Sequence, residues 1–574
     1  MTLSGGSLLI RSLREAGVTH LFANFGSDHP AIIEALADDR ERGIADPAVV
    51  LCPHEYTALS AAHGYAAVTG RPQAVFVHTD VGTANLGGAV HNAARSRVPV
   101  FIFAGLTPYT LEGELPGTRN THVNHLQDAP DQHALVRQYV KWNYDIRTAR
   151  NVPQVVRRAV QLAASAPAGP VYVTGAREVL AEQAPDPQAR TTGWAPIAPL
   201  PAPADVVDAL VRDLREAQHP VIITGYLGRR HGAVQRLVTL AERLVIPVVE
   251  VTPEVLNFPH DHRLHQGDDP LPLLEEADVI VALDTDAPWM PTAGRPREDA
   301  TIYVINDDPL QERIPLWYLP ADHVIRADAG VVLAQALDLL GDAAPDPRRA
   351  ERADRLRERS QRLRRGWAAD AEAELARREL TPGSVAHVLA GLIDDDTVVL
   401  NEAISEAPAV WRHLPRSLPG TLYGNRGTSL GWSGGGALGV KLAVGDRTVV
   451  SVVGDGTYFF GIPSSAFWVA DRYHLPVLTV ILDNGGWNAT KRNLRRQHPD
   501  MTADRTDRYW VNLQQSADLP GIAAAAGNAW GVTVTVAGEL EGALREGLAH
   551  VRAGRPAVVC VRLEPISRQV EDPI

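Results

Sequence analysis

Short runs of β-branched and apolar residues, each closed by Gly, Asn, Asp, His or Thr, alternate along the chain with stretches whose apolar residues fall at helical spacing. The pattern predicts strands at 20–26 (HLFANFG), 49–51, 74–78 (AVFVH), 98–104 (VPVFIFA) and 170–174 (PVYVT). A second set follows at 220–225, 247–251, 278–283 and 301–306. A third comprises 397–401 (TVVLN), 449–453 (VVSVV), 477–482 (VLTVIL) and 557–563 (AVVCVRL). Runs this continuously apolar suit strands covered on both faces, as in parallel sheets. Helical segments such as 8–16, 56–68 and 464–473 separate them. The alternation specifies an α/β protein of three doubly wound parallel-sheet domains.

Breaks in the pattern set the boundaries. Residues 183–204, rich in Pro, Ala and polar side chains, read as a linker. Residues 343–380 alternate Arg and Glu at helical spacing and read as a solvated linking helix rather than a basic binding patch. The expected division is 1–182, 200–342, the linking helix 343–380, and 381–574, with Ser384 near the N-cap of the helix opening the last block. No short internal repeat is visible; the blocks share only a βα rhythm.

Charge and cysteine usage narrow the function classes. The 574 residues carry a net charge of −13 with no long basic run, which argues against nucleic acid or an anionic membrane as partner. Cys52 and Cys560 are the only cysteines, so a reducing, cytoplasmic setting without a disulfide framework is expected. The first residues lack a basic n-region and a cleavage-type site, and no apolar run approaches the ~18 residues of a membrane span.

Chemistry concentrates at 449–488. The strand VVSVV ends in Gly454-Asp455-Gly456, and the next strand, after a helix, ends in Asp483-Asn484. Ligands of open parallel sheets lie at the carboxyl ends of strands, so Asp455 and Asn484 share a rim. A carboxylate and an amide oxygen suit a hard cation such as Mg²⁺, and helix-opening N–H groups suit a phosphate. This stretch resembles the thiamine-diphosphate (ThDP) binding motif of acetolactate synthases, pyruvate decarboxylases and benzaldehyde lyases. The resemblance implies metal ligation by Asp455, Asn484 and the Gly486 carbonyl, with Gly454, Gly456, Thr457 and Trp487 also at the cofactor. Two departures stand out: Asp483 replaces the motif's first Asn, and the separation 484 − 455 = 29 is slightly long.

By itself Glu55 reads as a helix N-terminal charge. The resemblance makes it the glutamate that bonds N1′ of the aminopyrimidine and drives its imino tautomer. It likewise implies that 424–439 wraps the pyrimidine, with Leu430 wedging the cofactor into a bent form and the Thr428 carbonyl receiving its amino group. Asp28, with His29 as second choice, His78 and Gln127 match polar residues facing substrate in related enzymes, and 80–85 resembles a loop beside the active centre.

Two decoys are set aside. Gly434, Gly436 and Gly439 match a dinucleotide fingerprint, but 423–433 does not read as the strand such a motif must follow. His260, His262 and His265 fall in a Pro/Asp-rich segment without metal-site spacing and read as surface loop.

The resemblance covers essentially the whole chain: pyrimidine-binding, central and diphosphate-binding domains. It implies a ThDP- and Mg²⁺-dependent 2-oxo-acid decarboxylase/carboligase of acetolactate-synthase type, passing through an acyl-anion (enamine) intermediate. An acyloin lyase of benzaldehyde-lyase type is the alternative, with aldehydes or acyloins as substrates, and an NAD-dependent oxidoreductase a distant one. It further implies a dimer or tetramer whose sites combine the first domain of one subunit with the third of another. FAD in the central domain is possible but has no fingerprint.

Overall fold

The structure is a computed structural model and describes residues 2–186, 194–341, 347–513 and 516–567. Three parallel sheets organise the chain. The first has the order Ala48–Leu51, His20–Ala23, Gln73–Val77, Val100–Leu106, Val171–Ala176, Trp142–Ile146. The third has the order Leu422–Gly424, Val398–Glu402, Val449–Gly454, Leu478–Asp483, Ala557–Arg562, Trp530–Val534. Numbered within each domain, both read 2-1-3-4-6-5. The two domains are therefore built to one plan, which the sequence pattern reduced to a shared rhythm. The central sheet runs Val248–Glu250, Pro220–Thr224, Val279–Leu283, Thr301–Asn306, His323–Arg326.

The strands the pattern did not predict are mainly edge or short ones. Trp142–Ile146 has one neighbour and is mostly half-buried, so it lacks a continuous apolar run. The 183–204 linker is corrected at its start. Gln183–Pro185 pairs antiparallel with Thr2–Ser4, tying the two ends of the first domain together, while 187–193 lie outside the described residues.

The linking helix spans Pro347–Ala376. Most of it is exposed, but Arg352 is buried and donates to the carbonyls of Leu244 (2.6 Å), Val245 (2.9 Å), Gln218 (3.0 Å) and Ala217 (3.1 Å). It thereby caps the C-terminal ends of two central-domain helices, Ala204–Glu216 and His231–Leu244. The helix Pro382–Ala390 is N-capped by Thr381, not Ser384; Ser384 is the reciprocal partner of a capping box. No helix among the described residues is long and apolar enough to cross a membrane.

The most extensive helix contact among the described residues joins the first and third domains. Helix Glu55–Thr69 lies against helix Trp432–Val444, and both follow the second strand of their domain. Glycines set the approach: a Cβ on Gly64 would strike the Gly436 carbonyl, and one on Gly439 would strike Ala61 O and come 2.7 Å from Tyr65 N. The apparent dinucleotide glycines are thus helix-packing residues inside Trp432–Val444, not a strand-to-helix turn.

The surface-loop reading of the histidines is overturned. His260 and His265 are buried, with 4% and 3% exposure, against the wholly buried Glu250 carboxylate. Packing of the central domain on the third covers this polar segment, which composition alone does not reveal.

Candidate active site

In a sheet of order 2-1-3-4 the strand order reverses between strands 1 and 3, and ligands bind in the crevice at that point. The first and third domains each present polar residues there. In the third domain, Val449–Gly454 runs directly into the short helix Asp455–Phe460, so the expected Gly-Asp-Gly turn is a helix start. Asp455 is 1% exposed. Burial, reinforced by the facing Asp483 carboxylate, pushes its pKa up to about 7. Asp483 is held by Arg562 at 2.7 Å, which turns the motif's unusual residue into half of an ion pair. The Asn484 amide oxygen accepts from the Gly486 N–H at 3.2 Å.

Asp455, Asn484 and Gly486 line a cavity of about 250 Å³ together with Leu430, Gly454, Gly456, Thr457 and Trp487. Trp487 lies so close over Gly456 that a Cβ there would sit 2.8 Å from its Nε1. Two neighbouring buried carboxyl groups, one reluctant to ionise, are the electrostatic condition a divalent cation relieves. With the Asn484 and Gly486 oxygens, Asp455 offers the hard donor set such an ion takes. The residues present therefore fit a metal-bound diphosphate.

In the first domain, Glu55 opens helix Glu55–Thr69, whose start is fixed by the His54 ring accepting from the Tyr56 N–H at 3.1 Å. The Glu55 carboxylate is buried and accepts from Asn85 Nδ2 at 3.0 Å. Asn85 lies on helix Thr79–Arg95, which begins just after His78. His78 Nδ1 stands 2.6 Å from Asp28 Oδ1, while Asp28 Oδ2 accepts from the Thr79 N–H at 3.2 Å. His29 Nδ1 lies 3.0 Å from the same Asp28 oxygen. Burial pushes Asp28 up, but hydrogen bonds from His29 and His78 outweigh it and hold the carboxyl well below the usual range. The bond to Asp28 raises the His78 pKa, and the neighbouring Gln127 adds to that shift.

The two halves meet through backbone contacts within one chain. The Tyr56 hydroxyl donates to Leu430 O at 2.7 Å. Asn92, on the Asn85 helix, donates to Ser429 O at 2.8 Å and accepts from the Ser429 N–H at 3.0 Å. Leu430 thus borders the Asp455 cavity while its carbonyl is gripped by the residue after Glu55. Thr428, in the same turn, has a left-handed backbone with φ 56°, an uncommon conformation for a β-branched residue.

The structure therefore gathers the predicted residues into two clusters joined at Leu430: Asp455, Asn484, Gly486 and Trp487 in one, Glu55, Asp28, His29, His78 and Gln127 in the other domain. Sequence reasoning missed Glu402. This buried carboxylate, its pKa raised by burial, accepts from Ser433 N (2.7 Å), Asn425 Nδ2 (2.9 Å) and Trp432 N (3.2 Å). It anchors the Leu430 turn to the start of helix Trp432–Val444. An acid ending an apolar strand, Val398–Glu402, was the available signal. The pairing of Asn85 with Glu55 was also unseen, because 30 residues separate them.

Comparison with known proteins gives three family-model matches: thiamine pyrophosphate enzyme, N-terminal TPP binding domain, at residues 3–135; central domain at 207–336; C-terminal TPP binding domain at 406–561. Benzoylformate decarboxylase of Pseudomonas aeruginosa is 27% identical over 96% of this chain and 98% of its own. The large subunit of acetolactate synthase isozyme 3 of Escherichia coli is 27% identical over 98% and 95%. The solved thiamine diphosphate-dependent 4-hydroxybenzoylformate decarboxylase of Rhodococcus jostii RHA1 superposes with a TM-score of 0.78 at 23% identity, covering 98% of this chain and 99% of that one.

Proposed function

We propose, for a chain that belongs to the thiamine pyrophosphate enzymes and is a ThDP-dependent decarboxylase or carboligase, that it acts on a 2-oxo acid and holds Mg²⁺ through Asp455, Asn484 and the Gly486 carbonyl. The observation carrying this reading is the join at Leu430. It brings the residue after the buried Glu55 carboxylate onto a turn bordering a cavity that combines a buried acid, an amide oxygen and a glycine backbone in the third domain.

When bound, ThDP supplies a nucleophilic carbon for the substrate carbonyl and accepts the electron pair left by carbon dioxide. The chain's own residues do the rest. Asp455 and Asn484 hold the ion that carries the diphosphate. Leu430 and the Thr428 carbonyl shape and orient the pyrimidine. Glu55, fixed by Asn85, exchanges a proton with the pyrimidine nitrogen from a site with little water, where such a carboxyl group acts best. His78, its proton retained by Asp28 and with Gln127 beside it, serves the reacting region, whereas His29 is wholly buried among Phe25, Phe76 and Phe103 and can act only through Asp28. A proton donor placed there favours release of an aldehyde over capture by a second carbonyl compound. That favours the decarboxylase over the ligase outcome.

The test is incubation with ThDP and Mg²⁺ against pyruvate, benzoylformate and benzoin, following carbon dioxide, aldehyde and acyloin. Carbon dioxide with aldehyde from a 2-oxo acid is the expected result. Cleavage of benzoin alone would establish the acyloin-lyase alternative, and inertness toward every 2-oxo acid would refute the proposal. Association into dimers or tetramers belongs to the same reading; the join at Leu430 lies within one chain, so sites shared between subunits are what the family resemblance alone implies. Sedimentation is the check, and a fully active monomer would remove that part.

A further inference from the structure

Numbered within its domain, the central sheet reads 2-1-3-4-5, so its strand order also reverses between strands 1 and 3. Ligands of such sheets enter the crevice at the carboxyl ends of those two strands. Tyr226 lies just past the end of strand 1, Pro220–Thr224, and Asp286 just past the end of strand 3, Val279–Leu283. The side chain that enters between them belongs to the third domain. The Arg426 guanidinium lies 3.8 Å from the centre of the Tyr226 ring and forms an ion pair with Asp286. A cation that close to an aromatic face is well inside the attractive range.

The seat is prepared for it. Asp286 accepts from the Tyr226 hydroxyl at 2.6 Å and from Gln311 Nε2, and its backbone carbonyl accepts from the Trp317 indole at 2.9 Å. The Glu254 charge also acts on Arg426. Only 16% of the Arg426 side chain is exposed, and a guanidinium so covered needs counter-charges of this kind.

Arg426 stands two residues before Thr428. The turn it belongs to is held on its other sides by the first domain and by its own. The Gly427 carbonyl accepts from His91 Nε2 at 2.9 Å, Asn92 holds both backbone groups of Ser429, and Asn425 Nδ2 donates to Ser429 O at 2.9 Å. A Cβ on Gly427 would strike Asn92, so the turn already lies hard against helix Thr79–Arg95. The strand before the turn, Leu422–Gly424, meets the central domain through its backbone, with the Gly424 N–H donating to Glu254 O at 2.6 Å. Arg426 extends that attachment into the turn itself. A β-branched residue keeps the left-handed backbone of Thr428 only where its surroundings over-determine it.

We propose that Arg426, seated in the ligand crevice of the central sheet, is a positioning residue for the pyrimidine end of the cofactor, holding the Thr428–Leu430 turn in place. The inference rests on the function proposed above, in which the Thr428 carbonyl and Leu430 meet the pyrimidine. It gives the central domain a part in cofactor binding although none of its residues lines the Asp455 cavity.

Titration calorimetry on the full chain, with Mg²⁺ present, separates the two ends of the cofactor. ThDP engages both the diphosphate site and the turn, whereas inorganic pyrophosphate engages the first alone. Arg426→Met keeps the apolar stem and removes the charge. Asp286→Asn keeps the shape of the seat and removes the counter-charge, and either variant suffices if near-UV circular dichroism shows it folded. Affinity for ThDP should fall about tenfold, while affinity for pyrophosphate changes by less than about twofold. A loss of general structure would weaken both ligands together. Unchanged ThDP affinity in a folded variant, a parallel loss of both ligands, or failure of both variants to fold would overturn the positioning role. A wild-type chain that binds ThDP without pyrophosphate, or neither ligand, would instead remove the metal-bound diphosphate reading beneath it.

Discussion

At the residue scale, the site depends on carboxyl groups whose surroundings fix their protonation. Replacing Glu55 by Gln keeps the shape and the contact with Asn85 but removes the exchangeable proton. Turnover should fall by about 10²-fold or more, with circular dichroism unchanged. The Asp28–His78 pair has a pH signature. Asp28 is depressed, so its stabilisation is present above the unfolded carboxylate value of about 3.9 and is lost as pH falls. His78 is raised, so its stabilisation is full below about 6.5 and fades as pH rises through the folded value. The stability difference between the wild-type chain and Asp28→Asn should therefore be largest between about pH 4 and 6.5, measured by urea unfolding. In the same variant the basic limb of kcat/KM should move to lower pH. An unmoved limb would take His78 out of the proton-handling role.

At the scale of elements, two helices carry the site. Gly439 faces Ala61 O and Tyr65 N across the Glu55–Thr69 contact, with no room for a side chain. Gly439→Val should cost about 1–3 kcal/mol in denaturant unfolding through overpacking. It should also reduce activity, because the displaced helix starts at the Leu430 turn. The capping box at Thr381 is a control outside that contact. Thr381→Ala should lose about 1 kcal/mol of stability while kcat stays the same.

At the scale of the whole molecule, the site lies between two domains of one plan, and the central domain joins by charge. Arg97, from the first domain, reaches Asp307 at 2.6 Å and Asn306 at 2.8 Å, and Arg229 reaches Asp307 at 2.9 Å. This network occupies the carboxyl rim of the central sheet, where a flavin nucleotide would lie. The purified protein is accordingly expected to show no flavin absorbance; a stoichiometric flavin would refute this. If the proposed cofactor set is right, ThDP with Mg²⁺ will bind only the folded chain and should raise the thermal midpoint, by an amount equivalent to about 2.7 kcal/mol at a hundred times Kd. Chelation should abolish the rise, as should Asp455→Asn.

How much was legible follows from where each signal resides. Apolar runs report strands buried on both faces, so the α/β class and the rim holding Asp455 and Asn484 could be read directly. Edge strands such as Trp142–Ile146 and Trp530–Val534 are half-solvated and gave no such run. The motif residues at 454–457 and 484–487 were visible because their spacing is local. The partners that position Glu55, Leu430 and Asp28 come from residues distant along the chain, and no local pattern encodes them.

The sequence alone determined the order of strands and helices and the chemical types at their ends, because both are written in neighbouring residues. Tertiary packing decided three other things. It buried His260 and His265 in a stretch composed like a surface loop, turned a nucleotide-like glycine pattern into a helix crossing, and set Asp483 against Arg562. Burial and long-range pairing are properties of the closed structure, created only when separate domains exclude water between them.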